Sequence, residues 1–105
     1  MKPVAYPENE IVKWSLDRNL LQTTTLETQT LKFMEEFGEF CAAYLRGDKV
    51  RAEDSLGDMY VVMVQMAKLV ESNLSKCAWM AYGEIKDRKG MMVNGSFIKE
   101  EDLKN

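Results

Sequence analysis

Two strongly helical stretches meet at Gly47-Asp48-Lys49, and this turn constrains the fold more than any other feature. A glycine just past a helix end supplies the left-handed residue that stops it. The chain is therefore expected to double back there, with the flanking helices antiparallel. Before the turn, Thr24 and Glu27 make a capping-box pattern that starts a helix running to about Arg46. Phe33, Phe37, Phe40 and Tyr44 form one apolar stripe on it, and Leu31, Met34, Cys41 and Leu45 a second beside the first. Together they cover roughly half the circumference, which marks a core-facing helix. After the turn a helix is expected from about Val50 to Glu71. Between Met59 and Ala67 its only strongly polar residue is Gln65. A helix apolar all round is buried all round, and a small bundle can hardly enclose one of its own members. This helix is therefore expected to pack against another subunit as well, most simply in a symmetric dimer. The alternative is a greasy helix with one exposed edge.

The rest of the chain fills in around that hairpin. Residues 1–7 read as an irregular arm, broken by Pro3 and Pro7. A short helix follows to about Arg18, carrying Ile11, Trp14 and Leu16, and residues 19–24 read as a connection. A fourth helix is expected from about Leu74 to Lys89, capped by Ser72 or Asn73 and stopped by Gly90. Asn94-Gly95 between apolar flanks is a strong hairpin signal. Residues 99–105 are charged and expected to fray. The expected architecture is all-α, a four- to five-helix bundle with a small C-terminal β-hairpin, as one domain over residues 1–105.

Composition narrows the function. Lys plus Arg number 14 against 17 Asp plus Glu, a net charge of −3 that argues against nucleic acid as partner. No apolar run reaches the ~18–20 residues that span a bilayer, and no apolar segment follows Lys2 as in a signal peptide. The expected location is cytoplasmic, with no membrane partner. Cys41 and Cys77 lack metal-ligand spacing and read as reduced core thiols. Histidine is absent. That removes Ser-His and Cys-His nucleophile pairs and His-rich metal sites. Any metal must be held mainly by oxygen, which favours Mg²⁺, with Mn²⁺ as the alternative.

Acidic clusters flank the turn: Glu36 and Glu39 before it, Asp54 and Asp58 after it. Residues three or four apart share a helix face. With the pivot near residue 47, Glu36 matches Asp58 in height and Glu39 matches Ser55. Packed helices lie about 8–10 Å apart, so such carboxylates can converge on a hard cation. Asp58 is the most telling: Asp is a poor mid-helix residue, this one abuts the apolar segment, and an unpaired buried carboxylate is costly. A solvated acidic face would show much the same spacing. Lys32 stands one turn before Glu36, while Lys86, Arg88 and Lys89 crowd the end of the fourth helix. The latter also suit the helix dipole. Trp14, Trp79, Tyr82 and Phe97 are candidates to stack on a base, though each also reads as a core residue.

The order Gln29-x-x-Lys32-x-x-x-Glu36-x-x-Glu39, then Asp54-Ser55-Leu56-Gly57-Asp58, then Glu84-Ile85-Lys86-Asp87-Arg88-Lys89-Gly90 resembles the MazG-like nucleotide pyrophosphohydrolases. The likeness runs from about Ile11 to Leu103 and is greatest to the short single-domain members, including those carried by phages. It implies an all-α, Mg²⁺-dependent enzyme, dimeric or tetrameric, that hydrolyses nucleoside triphosphates to a monophosphate and pyrophosphate. The resemblance implies that Glu36, Glu39 and Asp58 hold the metal, with Asp54 as the adjacent substitute for the carboxylate missing at Ser55, and that Glu36 or Glu39 takes the proton from water. It also implies that Lys32, Lys86 and Arg88 hold the phosphates. Two positions depart from the family pattern: Ser55 stands where Glu is usual, and Gly83 where Asn often precedes the lysine. The rival reading is a catalytically inactive helical interaction module that retains the fold.

Overall fold

The structure is a computed structural model and describes residues 5–103. Of the expected N-terminal arm, residues 1–4 lie outside that range, as do 104 and 105 of the charged tail. The chain forms two compact units, the first ending at Ser75 and the second beginning at Lys76.

The first unit holds α1 (Glu8–Asp17), α2 (Leu20–Thr23), α3 (Leu26–Arg46), α4 (Lys49–Leu69) and the first two residues of α5 (Leu74–Ile85). Pro7 opens α1, its carbonyl accepting from the Ile11 N–H at 3.0 Å. Glu8 and Glu10 place negative charge in the first turn, where the helix dipole favours it. The expected plain connection contains a turn of helix, α2. Asn19 enters the left-handed region at φ 59° and reverses the chain, and Thr23 Oγ1 donates back to the Asn19 carbonyl at 2.6 Å.

The α3 cap is one residue later than the capping-box pattern placed it. Thr25 is extended, and its Oγ1 accepts from the Thr28 N–H at 3.1 Å. Thr24 accepts instead from Gln29 Nε2 at 3.0 Å. Gly47 ends α3 as expected, at φ 71°, with Asp48 N–H donating to the Ala43 carbonyl at 2.9 Å. Asp48 then caps α4, its Oδ1 accepting from Arg51 N–H at 3.1 Å. Two residues thus close the hairpin, and the α3–α4 packing that follows is the backbone of the unit.

The row of α3 that faces α4 is Gln29, Phe33, Glu36, Phe40 and Ala43, at alternating spacings of four and three. Gln29, Glu36 and Ala43 are buried, and the two phenylalanines half-buried. Phe37 and Tyr44 of the first expected stripe are exposed, and of the second stripe only Cys41 is half-buried. Leu31 and Leu45 are 69% and 81% exposed, and Met34 is exposed with them. Apolar count alone does not separate the two rows, because the inner one carries a glutamate and a glutamine.

On α4, Met59, Val62, Val64, Gln65 and Ala67 are buried and the other four residues of 59–67 half-buried. The cover comes from α1, α2 and α3. The enclosure expected from another subunit is therefore largely supplied within one chain. The short α1 and α2 account for the difference, since they close the side of α4 that a hairpin alone leaves open. α4 ends two residues before Glu71, which takes φ 61°, and Ser72 N–H donates to the Ala67 carbonyl at 2.9 Å. The first amides of α5 are met from α1: Glu8 Oε2 accepts from Leu74 N–H at 2.6 Å and Ser75 N–H at 3.2 Å, and Oε1 accepts from the Ser75 hydroxyl.

In the second unit α5 stops at Ile85, four residues short of the expected Lys89. Arg88 N–H turns back to the Ile85 carbonyl at 3.0 Å. β1 (Gly90–Val93) and β2 (Ser96–Lys99) pair antiparallel, with Val93 opposite Ser96. Asn94-Gly95 is the two-residue turn, with φ of 50° and 84°, the mirror-image geometry that suits twisted strands. The expected frayed tail holds a 3₁₀ turn over Glu100–Leu103, tied by Glu100 N–H to the Lys89 carbonyl at 2.8 Å. The fold is thus the expected one, helices with a C-terminal hairpin. Among the described residues no helix is long and apolar enough to cross a membrane.

Candidate active site

Burial of Glu36 in the α3–α4 packing row brings it to Asp58, one member of each acidic cluster. They meet at a cleft of about 420 Å³ in the first unit, walled also by Lys32, Gln29 and Thr28 of α3, Gln65 of α4 and Trp14 of α1. Leu20, Val61 and Val62 make its apolar side. Glu36 is 6% exposed. Its Oε1 lies 3.5 Å from Lys32 Nζ, and its buried Oε2 has no hydrogen-bond partner among the described residues.

Asp58 is half-buried, and its carboxyl is pushed above the usual range. Burial is the largest cause, followed by the hydrogen bond that protonated Asp58 makes to Glu36, then the charges of Asp54 and Glu36; Lys32 opposes them. Two carboxylates facing each other with one half-exposed lysine are short of positive charge. Either a proton is shared between them or a cation joins them.

Glu39 and Asp54 do not join this pair. They line a separate cleft of about 230 Å³ with Ser55, Arg46 and Arg51. Both are exposed, whereas Ser55 is buried. Counting from the turn thus gives the right pairs, Glu36 with Asp58 and Glu39 with Ser55. The two levels open separately. Among the described residues no three acidic or cysteine side chains gather in a metal-holding group.

Lys86 and Arg88 belong to the second unit. Arg88 lines an open cleft of about 460 Å³ with Glu84, Asp87, Lys89, Lys99, Glu100 and Glu101, a mixed and exposed set of charges. Of the aromatic candidates, Trp14 reaches the Glu36–Asp58 cleft, with Arg18 stacked over its ring at 4.4 Å. Trp79 and Tyr82 pack edge to face at 5.8 Å within α5, and Phe97 sits on β2.

Sequence reading missed one partner at the cleft. Ser15 is fully buried and donates to the Ile11 carbonyl at 2.9 Å, and Gln65 Nε2 donates to Ser15 Oγ at 3.2 Å. The available signal was a lone small polar residue among the apolar positions of the first helix, answering the lone amide of the greasy segment.

No family model and no solved structure matches the chain. It is 45% identical over 58 residues to an uncharacterized 18.2 kDa protein in the rep-hol intergenic region of Haemophilus phage HP1. That alignment covers 55% of this chain and 36% of the phage protein, so the chain spans about a third of this relative's length.

Proposed function

We propose that the chain is a Mg²⁺-dependent nucleoside triphosphate pyrophosphohydrolase, releasing a monophosphate and pyrophosphate, with Mn²⁺ as an alternative metal. The observation that carries this reading is the pair of buried Glu36 and half-buried Asp58 at an open cleft. Glu36 Oε2 has a lone pair with no donor among the described residues, in a setting where an unmet acceptor is costly. Two hard oxygen donors short of positive charge fit a hard divalent cation. Bound there, the cation would offset phosphate charge and acidify an attacking water.

This chain's own residues then have distinct tasks. Glu36 and Asp58 hold the cation. Lys32, half-exposed at the same cleft, binds a phosphate oxygen. Glu36 accepts the proton of the attacking water; Glu39, which lines the neighbouring cleft, enters as the alternative base on the family resemblance alone. Glu39 and Asp54, one turn along in the neighbouring cleft, complete the acidic surface. Lys86 and Arg88 enter as phosphate ligands on the family resemblance alone. The exposed Leu31, Met34 and Leu45 row of α3 supports assembly as a homodimer or homotetramer. The role would be nucleotide-pool control or clearance of aberrant nucleotides in the cytoplasm.

A panel of nucleoside triphosphates with Mg²⁺, assayed for pyrophosphate, tests the reading. Release is expected from at least one, with a loss of 100-fold or more, by order of magnitude, in Glu36→Gln. No release from any nucleotide, or full release by the variant, overturns it. One observation favours the second reading, an inactive helical module: only two carboxylates meet at the cleft. Such a module would show no Mg²⁺-dependent heat on titration with nucleotide.

A further inference from the structure

Resting on that reading, we infer that the cleft selects nucleobases bearing a 4-amino or 6-amino group, cytosine and adenine, and that the Gln65 carbonyl oxygen is the group that reads it. The orientation of this amide is fixed by a chain of hydrogen bonds. The Ser15 hydroxyl has one proton, and it goes to the Ile11 carbonyl. With that proton spent, Ser15 Oγ faces Gln65 as an acceptor, and Gln65 presents its NH₂ group to it. A flipped amide would have to draw the Ser15 proton away from the Ile11 carbonyl. Gln65 is 4% exposed, yet it lines the cleft, and its Oε1 accepts nothing from the described residues.

Gln29 repeats the arrangement from α3. It is 8% exposed, its Nε2 is committed to Thr24 Oγ1, and it lines the same cleft. Two buried amides thus each have one N–H tied back, which sets their orientation, and their oxygens uncommitted. With Glu36 and Asp58 beside them, the polar wall is rich in acceptors. The donors among the lining residues are Lys32, the Thr28 hydroxyl, the Trp14 indole N–H and the second N–H of each amide. An acceptor-rich wall rewards a ligand edge that donates. Cytosine and adenine carry an NH₂ where uracil and hypoxanthine carry an oxygen, and an oxygen set against Gln65 Oε1 would leave both unpaired. Trp14, with Arg18 over one face of its ring, adds apolar surface to the same cleft.

Calorimetric titration of the whole chain in EDTA with nucleoside monophosphates tests this without turnover. The probes are dCMP against dUMP and dAMP against dIMP. The amino member of each pair is expected to bind about tenfold tighter, one net hydrogen bond plus an avoided clash of acceptors. Gln65→Leu should bring both ratios close to one. Ser15→Ala, a milder change that keeps the helix and frees the amide to rotate, should lower the ratios with little change in binding of inorganic pyrophosphate. A purely structural role for Gln65 would weaken all four ligands equally. Equal binding of both members by the wild type, ratios unchanged in both variants, or no binding of any monophosphate overturns the inference. Failure of the hydrolytic reading shows separately, as no pyrophosphate released from any triphosphate with Mg²⁺.

Discussion

Replacing Glu36 by glutamine should stabilise the metal-free protein, although Glu36 is the residue most needed for the proposed chemistry. Glu36 Oε2 is buried, and with Asp58 ionised no donor meets it. An unmet buried acceptor costs about 1–3 kcal/mol. The glutamine keeps the shape and offers Asp58 an N–H. What is lost is the Lys32 contact at 3.5 Å, whose lysine side chain is 53% exposed. Pairs of that kind contribute about 0–1 kcal/mol. The net gain is then about 1 kcal/mol, or about 4–8 °C in melting temperature for a domain of this size.

The gain should depend on pH. Asp58 is raised in the folded state, so the folded chain holds a proton where the unfolded one has lost it. Wild-type stability therefore falls as pH rises from about 3.9 through the raised folded value. Removing the charge of Glu36 lets the Asp58 value fall back and reduces that loss. Thermal unfolding by circular dichroism in EDTA, from pH 4 to 8, reads this directly. The variant should exceed the wild type at pH 7.5 and approach it near pH 4. Added Mg²⁺ should raise the wild type and leave the variant nearly unmoved. A variant that melts below the wild type at pH 7.5 in EDTA would refute the account of a strained carboxylate pair.

Two further perturbations probe the fold and the assembly. Glu8→Ala strips the acceptor from three donors at the start of α5, Leu74 N–H, Ser75 N–H and the Ser75 hydroxyl, and should cost about 1–3 kcal/mol at pH 7 by chemical denaturation. The Ser75 hydroxyl, first among the causes, holds the Glu8 carboxyl below its usual range. The stability it confers is therefore present above about pH 4.3 and lost as pH falls through the lowered folded value. A wild-type–variant difference that does not close toward pH 3 would count against it. Leu45→Glu, on the 81% exposed position of α3, should shift sedimentation from the assembled form toward the monomer. A wild type already monomeric at micromolar concentration removes the proposed interface.

The helices, the Gly47 turn and the Asn94-Gly95 hairpin were legible because each depends on neighbours in sequence. Glycine in the left-handed region and a two-residue turn are local chemistry. Height matching of Glu36 to Asp58 was legible for the same reason: a short turn fixes the register of two straight helices. The rotation of each helix was not. Which row of α3 faces α4 depends on packing with α1 and α2, and polar Gln29 and Glu36 lie on the winning row. The cap at Thr25 rather than Thr24 turned on a single residue's extended backbone. The Ser15–Gln65 link joins positions 50 residues apart, beyond any local pattern.

Glu8 gives the first unit a temporal order. Its carboxylate reaches Leu74 across 66 residues, whereas α3 and α4 are joined by a two-residue turn. Closing the long loop is entropically dearer than zipping the hairpin. The α3–α4 pair therefore assembles first, and α1 docks onto it late. A bond formed after the rate-limiting step holds the native state shut without helping it to form. Glu8 thus acts on how long the fold lasts, not on how fast it arises. Its loss should appear in the unfolding limb of a chevron, with the folding limb unmoved.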